Sequence, residues 1–480
     1  MKKVIFIKTV CKSLCTFIFT SLLLWGCKST PSGENQDMEP SVTVVEESEP
    51  EEKEPENPPN IQFAKKLQKE LENGNIKNAI ELFDNLPQEL EGDTDFTMLL
   101  ASLYISDGQY SKAAETANAV LSSEPDNMDA LEIVTLSAKA AGNSQEYKNR
   151  QKEILALDPY NASVNIMIGD EYAVNHKYKL ARDSYKKALR NEPDNSDALF
   201  GYAQTSYYLD DLKSSEDTLK QLLDKEPDNA PALYFMGKLA AEDSNYLRAA
   251  SFVKQAIDNE PDRYDYWLDY GNYLRYQGKF NEAAKAWDTA VQIDPTYFLA
   301  YAYLAGLYDE QEKFELALEN YHKVIETNPK YFYAYEETGI LEYHAGNYAE
   351  AYKYFSKAYE YSKNYSYPLM MAVCNFKQND SFNAKKVLTA LLKTLERDSV
   401  EYNMVRFYNE TYSRNAETNL VQKINKLDDS TKRGKMLFYL GLYYELNGAE
   451  EFASEYYTKV TAMQAPMFFE YRFAEWSLGL

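Results

Sequence analysis

The side chains that most often do chemistry are few in this chain and poorly placed for it. Three histidines, His176, His322 and His344, stand far apart. A metal site needs several ligands converging on one point, and that scatter does not supply them. Cys374 is the one cysteine in the body of the chain, and no histidine lies near it in sequence to raise its thiolate fraction. A buried, inert thiol is expected there. Carboxylates are abundant at 75, so pairs of them arise by chance. No P-loop, HExxH, GxSxG, CxxC or EF-hand pattern is present. These residues predict no catalysis, no metal and no cofactor.

The remaining cysteines crowd the N-terminus at Cys11, Cys15 and Cys27. Lys2, Lys3, Lys8 and Lys12 precede or enter an apolar run from Leu14 to Trp25. The run is short for a membrane-spanning helix and suits an export signal. It ends in Leu24-Trp25-Gly26-Cys27, which resembles the lipobox of bacterial lipoproteins, although Trp25 is bulkier than is usual there. The resemblance implies a signal peptide over 1–26, cut before Cys27, with diacylglycerol and fatty acyl (palmitate-type) modification of Cys27. Several acyl chains together anchor stably where one does not. Lys28, in place of the Asp that favours inner-membrane retention, leans toward the outer membrane, with either side left open.

The formal charge is −24, which disfavours nucleic acid and anionic lipid surfaces as main partners, since both require a cationic footprint. Removing four lysines with the signal brings the mature charge near −28. Residues 27–59 carry ten acids against Lys28 and Lys53, together with a cluster of prolines. Such a stretch buries too little apolar surface to fold and repels itself into an extended tether. At roughly 3 Å per residue it reaches on the order of 90 Å.

The elements beyond it are set by a ladder of prolines, Pro125, Pro159, Pro193, Pro227, Pro261, Pro295 and Pro329, spaced 34 residues apart. With these at position 32, frames start at 60, 94, 128, 162, 196, 230, 264, 298, 332, 366, 400 and 434. Position 8 is then Gly or Ala in most frames, as at Gly169, Gly237, Gly271 and Gly339. Position 20 is Ala, as at Ala181, Ala249 and Ala283, and position 24 is a large ring, as at Tyr185, Trp287 and Phe355. Position 15 carries Gly74, Gly108, Gly142, Gly278, Gly346 and Gly448. Small residues let two helices approach, the ring fills the adjoining gap, and glycine suits a left-handed turn. Proline ends the second helix, and Asn127, Asn161, Asn195 and Asn229 stand where the next helix needs its N-cap.

This pattern resembles the tetratricopeptide repeat (TPR) over residues 60–467. The resemblance implies an all-α, right-handed α-solenoid of about twelve helix–turn–helix units, best matched over 162–365 and degenerate over 366–433. Residues 468–480 (FFEYRFAEWSLGL) are expected to form a C-terminal capping helix, and their aromatic residues leave a docking patch as the alternative.

The resemblance also implies a concave groove lined by positions 2, 5, 9, 12 and 13 of each first helix. Here those positions give Phe200, Gln204, Tyr207, Tyr208, Tyr234, Lys238, Asn272, Arg275, Tyr276, Tyr333, Glu336, Tyr343 and His344. Tyr and Arg are common interface anchors. The lysine–asparagine clamp of chaperone-binding members is missing, because position 5 holds no lysine from Met98 to Glu336. The expected function is a non-catalytic, membrane-anchored scaffold that binds protein or peptide partners, with a role in envelope, secretion or pilus assembly. A surface-exposed adhesin or host-ligand-binding lipoprotein, and a regulatory subunit of a cell-wall enzyme, stand as alternatives. Oligomeric state is not encoded in these features.

Overall fold

A computed structural model describes residues 58–463 and 468–480. The signal segment, Cys27 and the acidic tether to residue 57 lie outside the described residues. Among the described residues every regular element is helical, and the chain divides into two compact units after Lys225.

The first unit holds α1 (Pro59–Glu72), α2 (Ile76–Glu81), α3 (Thr94–Ser106), α4 (Tyr110–Ser123), α5 (Met128–Ala140), α6 (Ser144–Leu157), α7 (Ala162–Val174), α8 (Tyr178–Asn191), α9 (Ser196–Tyr208) and α10 (Leu212–Leu223). The second begins with α11 (Ala230–Glu242), α12 (Tyr246–Asn259), α13 (Tyr264–Tyr276), α14 (Phe280–Ile293), α15 (Phe298–Glu310), α16 (Phe314–Thr327), α17 (Phe332–His344) and α18 (Tyr348–Tyr361). It continues with α19 (Ser366–Lys377), α20 (Ser381–Leu392), α21 (Val400–Asn409), α22 (Arg414–Asn425), α23 (Ser430–Leu446), α24 (Glu450–Thr461) and α25 (Phe469–Leu478). Each odd–even couple through α24 is one antiparallel A/B pair, and successive pairs stack in series within each unit.

The local chemistry is that of the frame. Asn127, Asn161 and Asn195 accept backbone N–H bonds from Ala130, Val164 and Ala198 at 3.0, 2.9 and 3.0 Å, and Asn229 accepts from Ala232 at 3.0 Å. The next three A helices give up this cap. Arg263, Tyr297 and Tyr331 precede α13, α15 and α17 and make no side-chain cap. Rings pack there instead, with Tyr264 against Tyr297 at 5.0 Å and Phe298 against Tyr331 at 5.1 Å. Outside the 366 and 400 frames, position 15 is left-handed whether or not it is glycine. Gly278 has φ +75°, and His176, Asp210, Ser244 and Glu312 have φ of 56°, 61°, 56° and 58°.

The A/B contact depends on the small residue at position 8. A Cβ on Gly271 would lie 2.4 Å from the Trp287 indole nitrogen, and one on Gly169 2.6 Å from the Tyr185 ring. Two stretches depart from the pattern. In the first pair, α2 is six residues long and gives way to a 3-10 turn, Leu82–Asn85, before Pro87. In the 400 frame, buried Phe407 stands at the small position of α21. Its partner α22 buries Leu420 and Ile424, while Asn419 is exposed, so the helix is turned away from the usual register.

Helix α25 follows the last pair, as a cap would, but its reach is longer. One apolar core runs from Tyr335 through α19 and α23 to Phe473 and Ala474. Helix α19 is buried over ten consecutive residues, Ser366 to Asn375, which include Cys374, because other helices cover it on all sides. Burial pushes the Cys374 thiol up, which keeps it protonated and inert.

Candidate functional site

The A helices carry the candidate binding residues, and the two units are taken in turn. In the first, Phe200, Gln204 and Tyr207 are half-buried on α9 and Tyr208 is 45% exposed. Tyr208 stacks on Tyr178 at 4.7 Å and meets Tyr207 edge-on at 5.6 Å. On α5, Glu132 accepts a bond from the Asn161 amide at 2.7 Å, tying one repeat to the next. Burial pushes the Glu132 carboxyl up to about 7.

In the second unit Tyr234 is buried. Its hydroxyl donates to Asp269 at 2.7 Å, and its ring lies 4.6 Å from Tyr266. It joins α11 to α13, which leaves its hydroxyl committed within the protein. Burial raises the Tyr234 hydroxyl and also the Asp269 carboxyl that accepts from it. Lys238 lies 5.5 Å above the Tyr234 ring. Asn272 is half-buried one turn along α13 from Asp269. Arg275 pairs with Glu310 of the next A helix. Tyr276 is 67% exposed and lies flat on Tyr246 at 4.3 Å. Tyr333 is 52% exposed and packs on Phe332 at 4.0 Å. Between these two, Gly306 on α15 borders open space, for a Cβ there would meet no atom within 4 Å.

Beyond Tyr333 the same face is occupied by α25. Arg472 donates from Nη1 and Nη2 to the two oxygens of Asp309 on α15, and the same Nη1 lies 3.7 Å from Glu337 on α17. The chain closes 163 residues between Asp309 and Arg472. Trp476 lies on His344 at 3.9 Å and edge-on to Phe314 at 5.9 Å. Phe473 covers Tyr343 at 5.0 Å, and Phe469 is parallel to Tyr367 at 6.2 Å. Glu470 is fully buried, accepts from Ser366 at 2.5 Å and Tyr439 at 3.0 Å, and has Lys435 at 3.7 Å. Tyr367 donates to Glu336 at 2.5 Å. Burial, reinforced by Asp309 and Glu336, pushes Glu337 up to about 7, while burial and the Arg472 charge hold His344 below its ordinary value.

The structure thus sorts the predicted residues. Tyr276, Tyr333 and Tyr208 present open ring surface; Tyr234 is internal; Tyr343, Glu336 and His344 serve the C-terminal helix or its floor. Sequence reasoning passed over Asp309 and Glu337, which receive Arg472, and over the position-17 rings. Those rings recur as Tyr110, Tyr178, Tyr246, Phe280, Phe314, Tyr348 and Phe382, a periodicity visible in the sequence. Among the described residues no group of three or more His, Cys, Asp or Glu is placed to hold a metal, and no helix is long and apolar enough to cross a membrane.

Comparison with known proteins agrees with the architecture. Family models of the tetratricopeptide repeat match residues 70–139 and 175–239, 264–297, and 304–366. No curated relative matches the chain. Similar solved structures include a tetratricopeptide repeat protein from Parabacteroides merdae, 18% identical with a TM-score of 0.36, covering 52% of this chain and 98% of that one. A Pseudomonas aeruginosa pilF structure is 16% identical with a TM-score of 0.34, covering 50% and 95%. YrrB, a TPR protein with an unusual peptide-binding site, is 20% identical with a TM-score of 0.34, covering 39% and 96%. The chain carries tetratricopeptide repeats, and its fold is an all-α series of their helix pairs.

Proposed function

We propose that this protein is a non-catalytic scaffold of a bacterial envelope, held to the membrane by lipid on Cys27, that binds a protein or peptide along its A-helix faces. The observation that carries the binding half is the second unit's handling of α25. A ten-residue helix is too short to be stable alone in water, so its order comes from the surface that receives it. That surface is an A-helix face offering carboxylates to an arginine and rings to aromatic side chains. The same kind of face continues toward Arg275 and Tyr276, where exposed rings and paired charges supply anchors with apolar area and polar ends. The role within the envelope is assembly of other components, since binding surface is what the repeats offer.

Crosslinking capture from native cells tests the binding half. A variant with Tyr207, Tyr208, Arg275 and Tyr276 changed to alanine should lose the captured partners while keeping its helical spectrum; unchanged capture would place binding elsewhere. The anchor has a separate test. Cys27→Ser should move the protein from the membrane fraction to the soluble one and abolish labelling by a fatty-acid analogue. Retention in washed membranes, with no label on the wild type, would refute lipidation.

A further inference from the structure

Two B helices of the first unit carry a charge opposite to that of the chain. On α6 stand Lys148, Arg150 and Lys152, against Glu146 and Glu153. On α8 stand Lys179, Arg182, Lys186, Lys187 and Arg190, against Asp183 alone. The flanking B helices are balanced, with Lys112 against Glu115 on α4, and Lys213 and Lys220 against Glu216 and Asp217 on α10. Helix α8 buries Ala181, Ser184, Tyr185 and Ala188, which turns its lysines outward. Lys152 and Lys186 share frame position 25, and Asn191 at the end of α8 donates to Asp158, just after α6, at 2.7 Å. The two helices therefore end side by side and present one basic face.

Pairing within the protein does not neutralise it. Arg150 takes both Glu146 and Glu153, Arg182 pairs with Asp211, and Arg190 lies over the Tyr160 ring at 4.1 Å. Lys148, Lys152, Lys179, Lys186 and Lys187 are exposed and have no ion-pair partner among the described residues. The second unit, taken by itself, shows the ordinary solvated arrangement. On α12, α16 and α18 every lysine pairs with a carboxylate three or four residues away in its own helix. Leu180, 47% exposed, shares a stripe of α8 with Asp183 and Lys187 and adds apolar surface to the face.

The chain itself holds a complementary segment. Residues 46–56 contain seven glutamates and one lysine, with Pro50 and Pro55 among them and Val42, Val44 and Val45 just ahead. Proline favours an extended backbone, which lowers the cost of ordering it on a surface. The segment leads directly into α1. In antiparallel pairs stacked in series, A-helix N-termini and B-helix C-termini share one end, so it arrives at the end where Lys186, Lys187 and Arg190 stand. From α1 to α8 is three repeats, on the order of 30 Å at about 10 Å each, and the segment spans about as much at roughly 3 Å per residue. Covalent attachment also gives it an effective concentration on the order of mM.

We propose that residues 46–56 lie across the outer faces of α6 and α8, with glutamates on Lys152, Lys179, Lys186 and Lys187 and the valines toward Leu180. Docking leaves residues 28–45 as the free tether, on the order of 50 Å rather than 90 Å. With Cys27 lipidated as proposed above, this sets how far the A-helix faces stand from the membrane. The docking itself requires neither the lipid nor a partner on those faces.

Carbodiimide crosslinking of the full chain, mapped by mass spectrometry, tests this, because it joins only a carboxylate and an amine already in contact. At about 0.01 M salt, glutamates of residues 46–56 should join Lys152, Lys179, Lys186 or Lys187; at about 1 M, where charges act over about 3 Å, those products should disappear. Lys179→Glu, Lys186→Glu and Lys187→Glu together should lower the yield at Lys152, which this variant keeps, about tenfold, since each exposed pair contributes a factor of up to about five. Lys323→Glu, Lys353→Glu and Lys357→Glu together should leave it unchanged. Absence of these products, or products that survive the first triple reversal, would overturn the proposal. So would crosslinks between isotope-labelled and unlabelled chains in a mixture, which would place the segment on a second copy. Flotation with phosphatidylglycerol vesicles through the same lysines, without any crosslink to residues 46–56, would make the face a membrane contact and overturn it as well.

Discussion

Two glycines in adjacent A helices should respond to the same substitution with opposite signs. Gly271 on α13 faces Trp287, which is fully buried and donates its indole N–H to the Leu268 carbonyl at 3.1 Å. A methyl group at residue 271 would sit 2.4 Å from that nitrogen and 2.6 Å from Cδ1. The ring has no free volume to enter, so the A/B pair must part or the indole must turn. Overpacking of this kind costs about 1–3 kcal/mol. Losing the indole bond adds about 1 kcal/mol, and alanine's better helix propensity returns about 1 kcal/mol. Gly271→Ala should therefore destabilise by about 1–3 kcal/mol. Gly306 on α15 is also inside a helix, but a methyl there meets nothing within 4 Å. Only the propensity change remains, and Gly306→Ala should stabilise by about 1 kcal/mol. Repeat arrays do not unfold as a single two-state unit, so the assay should be local. Hydrogen exchange by mass spectrometry on peptides from α13–α14 and α15–α16 reads each opening free energy separately. Equal signs at the two sites, or a neutral Gly271→Ala, would refute the close-approach account of position 8.

His176, Ser244 and Glu312 hold left-handed backbone at the A/B turns, where an L side chain costs about 1–2 kcal/mol. Ser244→Gly and Glu312→Gly should each stabilise by about 0.5–1 kcal/mol after the added freedom of the unfolded chain is subtracted, and His176→Gly and Asp210→Gly by less, because His and Asp tolerate this region; loss of protection in the flanking helices would contradict this. Glu132 gives a pH prediction. Its carboxyl is pushed from 4.5 to about 7 by burial, so the folded chain keeps a proton that the unfolded chain releases, and stability falls as pH rises between those values. Glu132→Gln keeps an acceptor for Asn161 and removes that slope, so its stability advantage over wild type should grow from pH 4.5 to 7 and then level off. An advantage independent of pH would mean that burial is not what shifts this group.

Position 8, position 20, the ring at 24 and the proline were legible because each is fixed by contacts inside one repeat. Gly169 against Tyr185 and Gly271 against Trp287 involve residues 16 apart, which a 34-residue period repeats in view. The Asn caps were legible for the same reason. The change of capping at Arg263, Tyr297 and Tyr331 was visible as a loss of Asn, but the ring contacts that replace it run between successive repeats and leave no signature within one. His176 shows a different limit. Its type suggested a test for chemistry, while its role is conformational: it fills the left-handed position that glycine fills elsewhere, and its ring contacts Tyr178.

The A-helix face was half legible. Frame positions identified which side chains leave the A helices on one face, but not which of them are already spent. Tyr234 and Tyr276 are both tyrosines on that face, and only the carboxylate at Asp269 and the ring at Tyr246 decide that the first turns inward and the second stays open. The seat of α25 was beyond reach for a stronger reason. Asp309 and Arg472 meet across 163 residues because the intervening repeats stack in series, and no local pattern ranks Asp309 above the other 74 acids. The C-terminal segment did announce its aromatic face. Five large rings in 468–480 are more than one terminal repeat needs to be covered, and the excess is what reaches Tyr343, His344 and Phe314. A terminal helix richer in aromatic residues than its nearest neighbour can bury is therefore a sequence sign of a distant seat.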